Sequence, residues 1–583
     1  MLKSDDTLVD NQLKIANIFN YYFLTVADAS IGNINNGVNP TTDNPINYLS
    51  KYYNKPFPMI QWQYVSTYEI KNIIKSLKSK NTCGYDEISN QVIKLSSPFI
   101  ISPLTYICNA VLKSGVFPNR LKYAIVKPIY KKGSKTDISN YRPISILTSF
   151  SKIFEKIIYN RLYTHLEMNN ILAREQFGFR MQHSIEQATF SLIDCILTAM
   201  NKIQVVGGIF CDLHKAFDSV QHKILLDKLQ FYGIEGKFKI LIESYLNNRY
   251  QKVSLESSNH NKNSSDWARI NCGVPQGSIL GPLFFLIYIN DLPSLVNKHN
   301  NIVLYADDAS MIITDSNRAD FNCQVNALFK DVNNWFKNNL LNLNFTKTHY
   351  LEFQPSKHHM PNLQIQHNHK YISNVTQTKF LGLMLDDTLT WSHHTDLVIK
   401  KMSSISYALR QVKHTLPLET LKVIYFAHVH SIINYGVIFW GNSPSAIKVF
   451  KLQKKIIRII TNTKPRDSCR EVFKNMQILT LYSQYIYSLI LFVVNNKYLF
   501  TTNNEIHEHN TRNNTNLHPV LSNLTKFNKG PGISGIKAFN QLAHHLKALD
   551  YNSSHFRTSL KRFLHHHSFY TIDEYFEYKD NTL

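Results

Sequence analysis

Asp307 and Asp308 stand side by side between two apolar runs, Ile302-Val-Leu-Tyr-Ala and Ala-Ser-Met-Ile-Ile313. Such runs on either side of a short polar step spell a hairpin, whose tight turn would aim both carboxylates beyond the sheet end. Taken alone, an Asp-Asp step is ordinary turn chemistry. A third acid changes the weight. Val205-Val-Gly-Gly-Ile-Phe-Cys-Asp212 reads as a buried strand that delivers Asp212 at its end, after which Leu213-His-Lys-Ala-Phe-Asp218 is expected to open a helix. A carboxylate at a strand terminus costs free energy unless something pairs it. Strand-end carboxylates brought together offer the hard oxygen ligands that Mg²⁺ takes. Two such ions about 4 Å apart can activate a 3′-hydroxyl and steady a leaving pyrophosphate. That chemistry is nucleotidyl transfer.

The elements that must carry these acids can be read around them. Between Gln204 and Ile313, short β-rich runs (Val205 to Cys211, Ile302 to Ile313) are separated by helical segments such as Ile224 to Tyr232 and Ile240 to Asn248. This alternation implies an α+β core. Within it, Asn271-Cys-Gly-Val-Pro-Gln-Gly-Ser-Ile-Leu-Gly-Pro-Leu283 is a Gly/Pro-rich turn leading into a helix. Upstream, Ile70, Ile73, Ile74 and Leu77 mark an amphipathic helix from Thr67, broken at Cys83-Gly84-Tyr85-Asp86 before a second helix starts. Leu13 to Phe23 is apolar-periodic, and Asn33 to Pro45 reads as a linker. Beyond Trp391 the chain turns largely helical, with Lys400, Lys401, Arg410, Lys413, Lys451, Lys454, Lys455 and Arg458 on polar faces. The stretch from Asn503 to Asp550, rich in Asn, His and Ser, reads as only partly ordered ahead of a helix over Phe556 to His566.

Composition bounds the partners. At 583 residues the chain is long enough for about three or four lobes. A hydrophobic share of 44% supports folded lobes over disorder. Lys and Arg outnumber Asp and Glu, 64 to 41, and a net charge of +23 fits a protein that meets a polyanion. The apolar runs Ile279 to Ile289 and Ile486 to Val494 are too short to cross a bilayer, so no membrane partner is expected. Met1 to Asp10 is polar and acidic rather than a secretory signal, which points to an intracellular protein. The seven cysteines have no paired spacing for zinc and an odd total, and are read as reduced thiols.

Asp212 with Phe217 and Asp218, together with Tyr305-Ala306-Asp307-Asp308, resembles motifs A and C of the reverse transcriptases. The Tyr-Ala-Asp-Asp variant is the one common in LINE elements, and the run from Ile70 to Phe569-Tyr-Thr-Ile-Asp-Glu574 resembles the Jockey-like group of non-LTR retrotransposons. The resemblance implies a right-hand polymerase with two Mg²⁺ ions on Asp212, Asp307 and Asp308, RNA template, DNA primer and target, and dNTPs as substrates. It implies residues 1–66 as N-terminal helix and linker, 67–204 as fingers, 205–379 as a palm with an antiparallel sheet, 380–460 as primer-grip turn and helical thumb, and 461–583 as a mostly helical, partly ordered C-terminal region. A ribonucleoprotein of nucleus and cytoplasm is expected. The Asn271 to Leu283 turn resembles motif B, in which Gln276 and the backbone at Gly277 approach nucleotide and template base, with Gly273 and Gly281 easing the approach. Phe217 matches the position whose ring excludes a 2′-hydroxyl, and Tyr305 joins the substrate site. Lys347, in Asn344-Phe-Thr-Lys-Thr348, resembles the motif D lysine that protonates leaving pyrophosphate. Asn140-Tyr-Arg-Pro and Gln176-Phe-Gly-Phe-Arg180 resemble motifs that cover the template and bind triphosphate, with Arg142 and Arg180 as the phosphate forks. Lys127, Lys131, Lys132 and Lys135 are expected on nucleic-acid backbone, as are the primer-grip turn Phe380-Leu381-Gly382 and the thumb lysines Lys400 and Lys401, in helices over His394 to His414 and Leu418 to Ile433.

Relatives of this kind carry an endonuclease, but only linker-like sequence precedes Ile70, so nicking is expected from elsewhere. No ribonuclease H carboxylate set or Cys/His knuckle is visible after the expected thumb. Two other readings compete. A catalytically silent or domesticated nucleic-acid-binding remnant would keep the charge without needing the three acids, and a group II intron maturase would lack the Phe380-Leu381-Gly382 turn.

Overall fold

The computed structural model describes residues 2–4, 7–35, 44–53, 56–256, 262–296, 300–355, 363–367, 370–506 and 516–579. Most of the expected linker (36–43) and part of the Asn-rich stretch (507–515) lie outside the described residues.

Helix α1 (Gln12–Asn35) buries Ile15, Ala16, Phe19 and Phe23, the face that the periodicity marks. Helix α2 (Thr67–Ser76) starts where the Ser66 side chain accepts from Glu69 N, and it buries Ile70, Ile73 and Ile74. Helix α3 (Asn90–Ser114) follows, then strands β1 (Tyr123–Tyr130) and β2 (Tyr141–Ile146), helices α4 (Ser149–Met168) and α5 (Ile185–Asn201), and strand β3 (Val205–Cys211). Next come α6 (His222–Phe231), α7 (Gly236–Leu246), β4 (Arg249–Glu256), α8 (Leu280–Ile289), β5 (Asn301–Tyr305), β6 (Asp308–Asp315) and α9 (Arg318–Asn338). The chain continues through β7 (His349–Phe353), β8 (Ser373–Asn374), β9 (Gln377–Phe380), β10 (Leu383–Asp386) and α10 (Ser392–Val412).

The central sheet has the order β8-β7-β3-β6-β5, antiparallel except for β7 with β8. Strands β3, β5, β6 and β7 are buried on both faces, which explains their near-continuous apolar runs. Val206, Phe210, Val303, Ile312, Leu351 and Phe353 share one core with α5 and the C-terminal helices. Ile209, Cys211, Ile302, Leu304, Met311 and Ile313 share the other with α4, α8 and α9. A second sheet pairs β1 antiparallel with β2 and parallel with β4, and α1 lies on it: Asn20 donates to Asp266 O (3.0 Å) and accepts from the Gln251 amide (3.1 Å). These parts make the α+β fold that the alternation implies.

Two expectations are corrected. Leu213 to Asp218 does not open a helix; residues 213–219 turn, with Lys215 at a φ of 45°, and α6 begins only at His222. Leu213 is bridged to Leu343, and the turn brings Asp218 N onto Lys215 O at 2.9 Å, so tertiary pairing overrides the apolar spacing. Secondly, α3 is by length and composition long and apolar enough to cross a membrane, a property that scattered Ser and Pro conceal from a search for unbroken runs. It buries Ile93, Leu104, Cys108 and Leu112 and leaves Leu95, Phe99 and Tyr106 exposed. Of the Asn-rich stretch, expected to be partly ordered, the described residues bury Phe527, Ile533, Ile536, Phe539 and Leu546.

Candidate active site

Strand β3 ends at Cys211, opposite Ala309 of β6, so one further step sets Asp212 beside Asp308. Tyr305 pairs with Asp308, leaving Ala306 and Asp307 as a two-residue turn, and Ala306 takes a φ of 58° at a place usually given to glycine. All three acids therefore leave the same end of the sheet. Burial, then Asp307 and Asp212, push the Asp308 carboxyl up to about 6. Burial is also the main cause that raises Asp307, with Asp212 adding to it. Asp212 is held from the side: Asn344 Nδ2 donates to its Oδ2 at 3.1 Å, Lys347 Nζ lies 3.4 Å from the same oxygen, and its N donates to Thr348 Oγ1 at 3.2 Å. The donor set, carboxylate oxygens alone, suits Mg²⁺. Among the described residues no three such side chains are drawn close enough to hold a metal ion, and Asp212 is turned onto Lys347.

Cations face the acids. Lys131 and Arg142, from the β1–β2 hairpin, both act on Asp307 and Asp308 to favour the ionised form. Lys215, which the sequence reading left out, lies beside these cations and Asp218: its Nζ donates to Tyr141 O at 3.1 Å and lies 5.6 Å from the Tyr22 ring of α1. Burial lowers its pKa, and Arg142, Lys131 and Lys347 lower it further.

The motif B turn is fastened to the chain on both sides. Gln276 Nε2 reaches both carboxylate oxygens of Asp218 at 3.0 Å, and burial pushes Asp218 up to about 6 against that bond. Ser145 N of β2 donates to Gln276 O at 2.7 Å. Gly277, at a φ of 120°, is needed for that approach: a Cβ there would lie 2.6 Å from Ser145 O. Here the backbone closeness expected towards a nucleotide is closeness to β2. Phe217 is half-buried, stacked on Phe285 at 4.7 Å and edge-on to Phe179 at 6.1 Å. A small cavity of about 40 Å³ opens between Asp218, Gln276, Ser145 and the α1 residues Phe23 and Leu24.

Residues 129–385 match the family described as reverse transcriptase (RNA-dependent DNA polymerase). The chain carries a reverse transcriptase domain. Over 444 residues it is 28% identical to the RNA-directed DNA polymerase from mobile element jockey of Drosophila melanogaster, covering 74% of this chain and 48% of that one. Over 414 residues it is 30% identical to the probable RNA-directed DNA polymerase from transposon BS of the same fly, covering 68% of this chain and 44% of that one. The chain thus spans about half the length of the curated relatives it matches. A solved telomerase from Candida albicans, in complex with a fragment of telomeric RNA, is similar at a TM-score of 0.37 and 13% identity, over 67% of this chain and 69% of that one.

The reverse transcriptase domain thus includes Lys131, Arg142, Asp212, Phe217, Gln276, Asp307, Asp308 and Lys347, and the fold gathers most of their side chains around one sheet end. It does not bring Arg180 there. The Arg180 fork is used by Ala173 O (2.7 Å) and Glu167 Oε1 (3.1 Å). Lys127 lies within β1 opposite Ile144, and Lys132 is exposed just past the strand. Phe380 is buried, 6.2 Å from the Phe210 ring. Only Leu381 and Gly382 reach the tip of the β9–β10 hairpin, both at positive φ (42° and 89°), where Tyr435 OH donates to Leu381 O. Lys400 and Lys401 are exposed on α10. Tyr305 is half-buried, and after burial it is the next cause that raises the Tyr435 pKa.

Sequence reading also missed the support behind the acids. Gln176 Oε1 accepts from Ala306 N at 3.2 Å and from Gly178 N at 2.8 Å. No local periodicity marks a residue that acts on a turn 130 positions away.

Proposed function

We propose that this chain is the RNA-directed DNA polymerase of a LINE-type retrotransposon, copying element RNA into cDNA from dNTPs on a DNA 3′-hydroxyl. The observation that carries the reading is the arrival of Asp212, Asp307 and Asp308 at one sheet end, inside the segment that matches the reverse transcriptases. In this reading 67–204 act as fingers, 205–379 as palm, and 380–460 as primer-grip turn and thumb. Two Mg²⁺ ions held by Asp212, Asp307 and Asp308 would supply the Lewis acidity that lowers the 3′-hydroxyl pKa and offsets charge on the phosphates. The chain's own groups do the rest. Lys131 and Arg142 face the acids from the β1–β2 hairpin, where they oppose the charge of an incoming triphosphate. As the 3′-oxygen bonds to the α-phosphorus and the bond to pyrophosphate breaks, Lys347 is the ammonium placed to give pyrophosphate a proton. Phe217, stacked on Phe285, is a stiff floor under the sugar.

The test is primer extension on an annealed RNA template and DNA primer with Mg²⁺ and dNTPs. The wild-type chain should extend, and Asp307→Asn should lose about a thousand-fold or more in rate, the several kcal/mol of a metal's charge stabilisation. Lys347→Ala should slow the chemical step by about 10²-fold while binding the hybrid normally. An inactive wild-type chain that still binds hybrid would favour the silent-remnant reading.

A further inference from the structure

The Gln176–Arg180 segment is fastened to the back of the carboxylate hairpin. Phe177 N donates to Leu304 O at 2.8 Å and Leu304 N to Glu175 O at 2.9 Å, so residues 175–177 extend the central sheet at the edge of β5. From that edge the Gln176 side chain, 2% exposed, turns its carbonyl to Ala306 N. Gly178 lies closer still: a Cβ there would sit 2.2 Å from Ala306 N and 2.9 Å from the Tyr305 carbonyl carbon. The segment is itself fixed. Arg180 closes it onto Ala173 O, Ala173 N donates to Asn290 Oδ1 at 2.8 Å, and Met181 N donates to Tyr163 OH at 2.9 Å.

Ala306 needs such a frame. An L-residue in the left-handed region costs about 1–2 kcal/mol and persists only where its surroundings over-determine it. The next residue is Asp307, so whatever fixes Ala306 fixes where that carboxylate leaves the sheet. The acceptor is also of the right charge. A neutral amide oxygen takes the N–H without adding a buried negative charge beside Asp307 and Asp308.

We propose that Gln176 is a positioning residue for Asp307, its side-chain carbonyl holding Ala306 in the left-handed conformation while the bare Cα of Gly178 sets the depth of the turn. The proposal rests on the polymerase reading. It gives the Gln-Phe-Gly-Phe-Arg segment a role behind the acids in place of one over the template. Partners that orient ligating groups without touching the ion are worth about 10–100-fold in metal affinity or activity.

Two variants of the full chain test it. Gln176→Met keeps length and burial but removes the acceptor. Gly178→Ala keeps the acceptor and pushes on Ala306 N. Mn²⁺ is titrated into the free protein and followed by electron paramagnetic resonance, and primer extension is run across a Mg²⁺ series with hybrid binding measured by anisotropy. Both variants should weaken Mn²⁺ binding and lower kcat by about 10–100-fold, with hybrid affinity unchanged within about two-fold. A merely structural role would lower the melting temperature and leave metal affinity alone. Should either variant fail to fold, Gln176→Asn, which keeps the amide but withdraws its carbonyl from Ala306 N by one methylene, decides on the same two readouts. An active wild type with both variants equal to it in Mn²⁺ affinity and kcat overturns this proposal alone. A wild type inactive under all conditions overturns both it and the polymerase reading.

Discussion

Among the raised carboxylates, Asp194 of α5 differs from Asp307 and Asp308 in that no neighbouring charge contributes: burial alone pushes it up to about 6. It lines a cavity of about 970 Å³ between α5 and the C-terminal helices, near the start of the Pro531–Asn540 helix, where a Cβ on Gly532 would lie 3.2 Å from Asp194 Oδ1. The sign follows from proton binding. A carboxylate whose folded pKa lies above its unfolded one, ordinarily 3.8, holds its proton more tightly when folded. Its ionisation therefore costs stability progressively as pH rises from about 4 through about 6, and the full cost remains above that. Asp194→Asn removes the cost. The variant should match wild type at pH 4 and exceed it at pH 8 by on the order of 1–3 kcal/mol in urea unfolding. Equal stability at pH 8 would mean that the side chain is solvated after all. Asp212 is half-exposed, its Oδ2 held by Asn344 and by the exposed Lys347.

Elements are locked together by polar contacts that no pattern announces. Lys228 of α6 and Asp291, just past α8, form a fully buried pair at 2.6 Å, with Lys228 Nζ also donating to Tyr288 O (2.6 Å) and Trp335 Nε1 of α9 donating to Asp291 Oδ2 (2.9 Å). Removing one partner strands the other charge without water. Lys228→Met alone should cost about 3–5 kcal/mol in urea unfolding, whereas adding Asp291→Leu should return part of that loss. A double variant worse than either single one would show that the pair adds net stability, contrary to expectation. The contrast marks what sequence can carry. Strands β3, β5 and β6 and the acids at their ends were legible, because a continuous apolar, β-rich run that stops at Asp is a local signal. The α2 face of Ile70, Ile73 and Ile74 was legible for the same reason. Arg180 on Ala173 O, Gln276 on Asp218 and Gln176 on Ala306 were not. Each is a choice between partners of equal chemistry, decided by contacts as much as 130 residues apart. The helix expected from Leu213 failed likewise, since its spacing suits a helix while pairing of Leu213 and His214 with residues 342–343 draws the backbone away from one.

Over the whole molecule the +23 charge must be placed before it means anything. Lys131, Arg142 and Lys347 face the acids with Lys215 beside them, and exposed Lys400 and Lys401 extend cationic surface onto α10, beyond the β9–β10 hairpin whose tip Tyr435 ties to Leu381. If a nucleic-acid duplex runs from the acids along α10, each lysine that neutralises a phosphate releases about one counterion, and the logarithm of affinity falls linearly with the logarithm of salt. Six to ten such contacts lose roughly 10³–10⁵ in affinity between 50 and 200 mM salt. Lys400→Ala with Lys401→Ala should then reduce the slope by about two, lowering affinity most at low salt. The double variant should leave kcat at saturating hybrid untouched, since neither side chain reaches the acids. A slope equal to that of wild type would place the duplex off α10. A flat salt response of the unmutated chain would remove phosphate contact from the account of its charge altogether, leaving the acids without the polyanion they are built to meet.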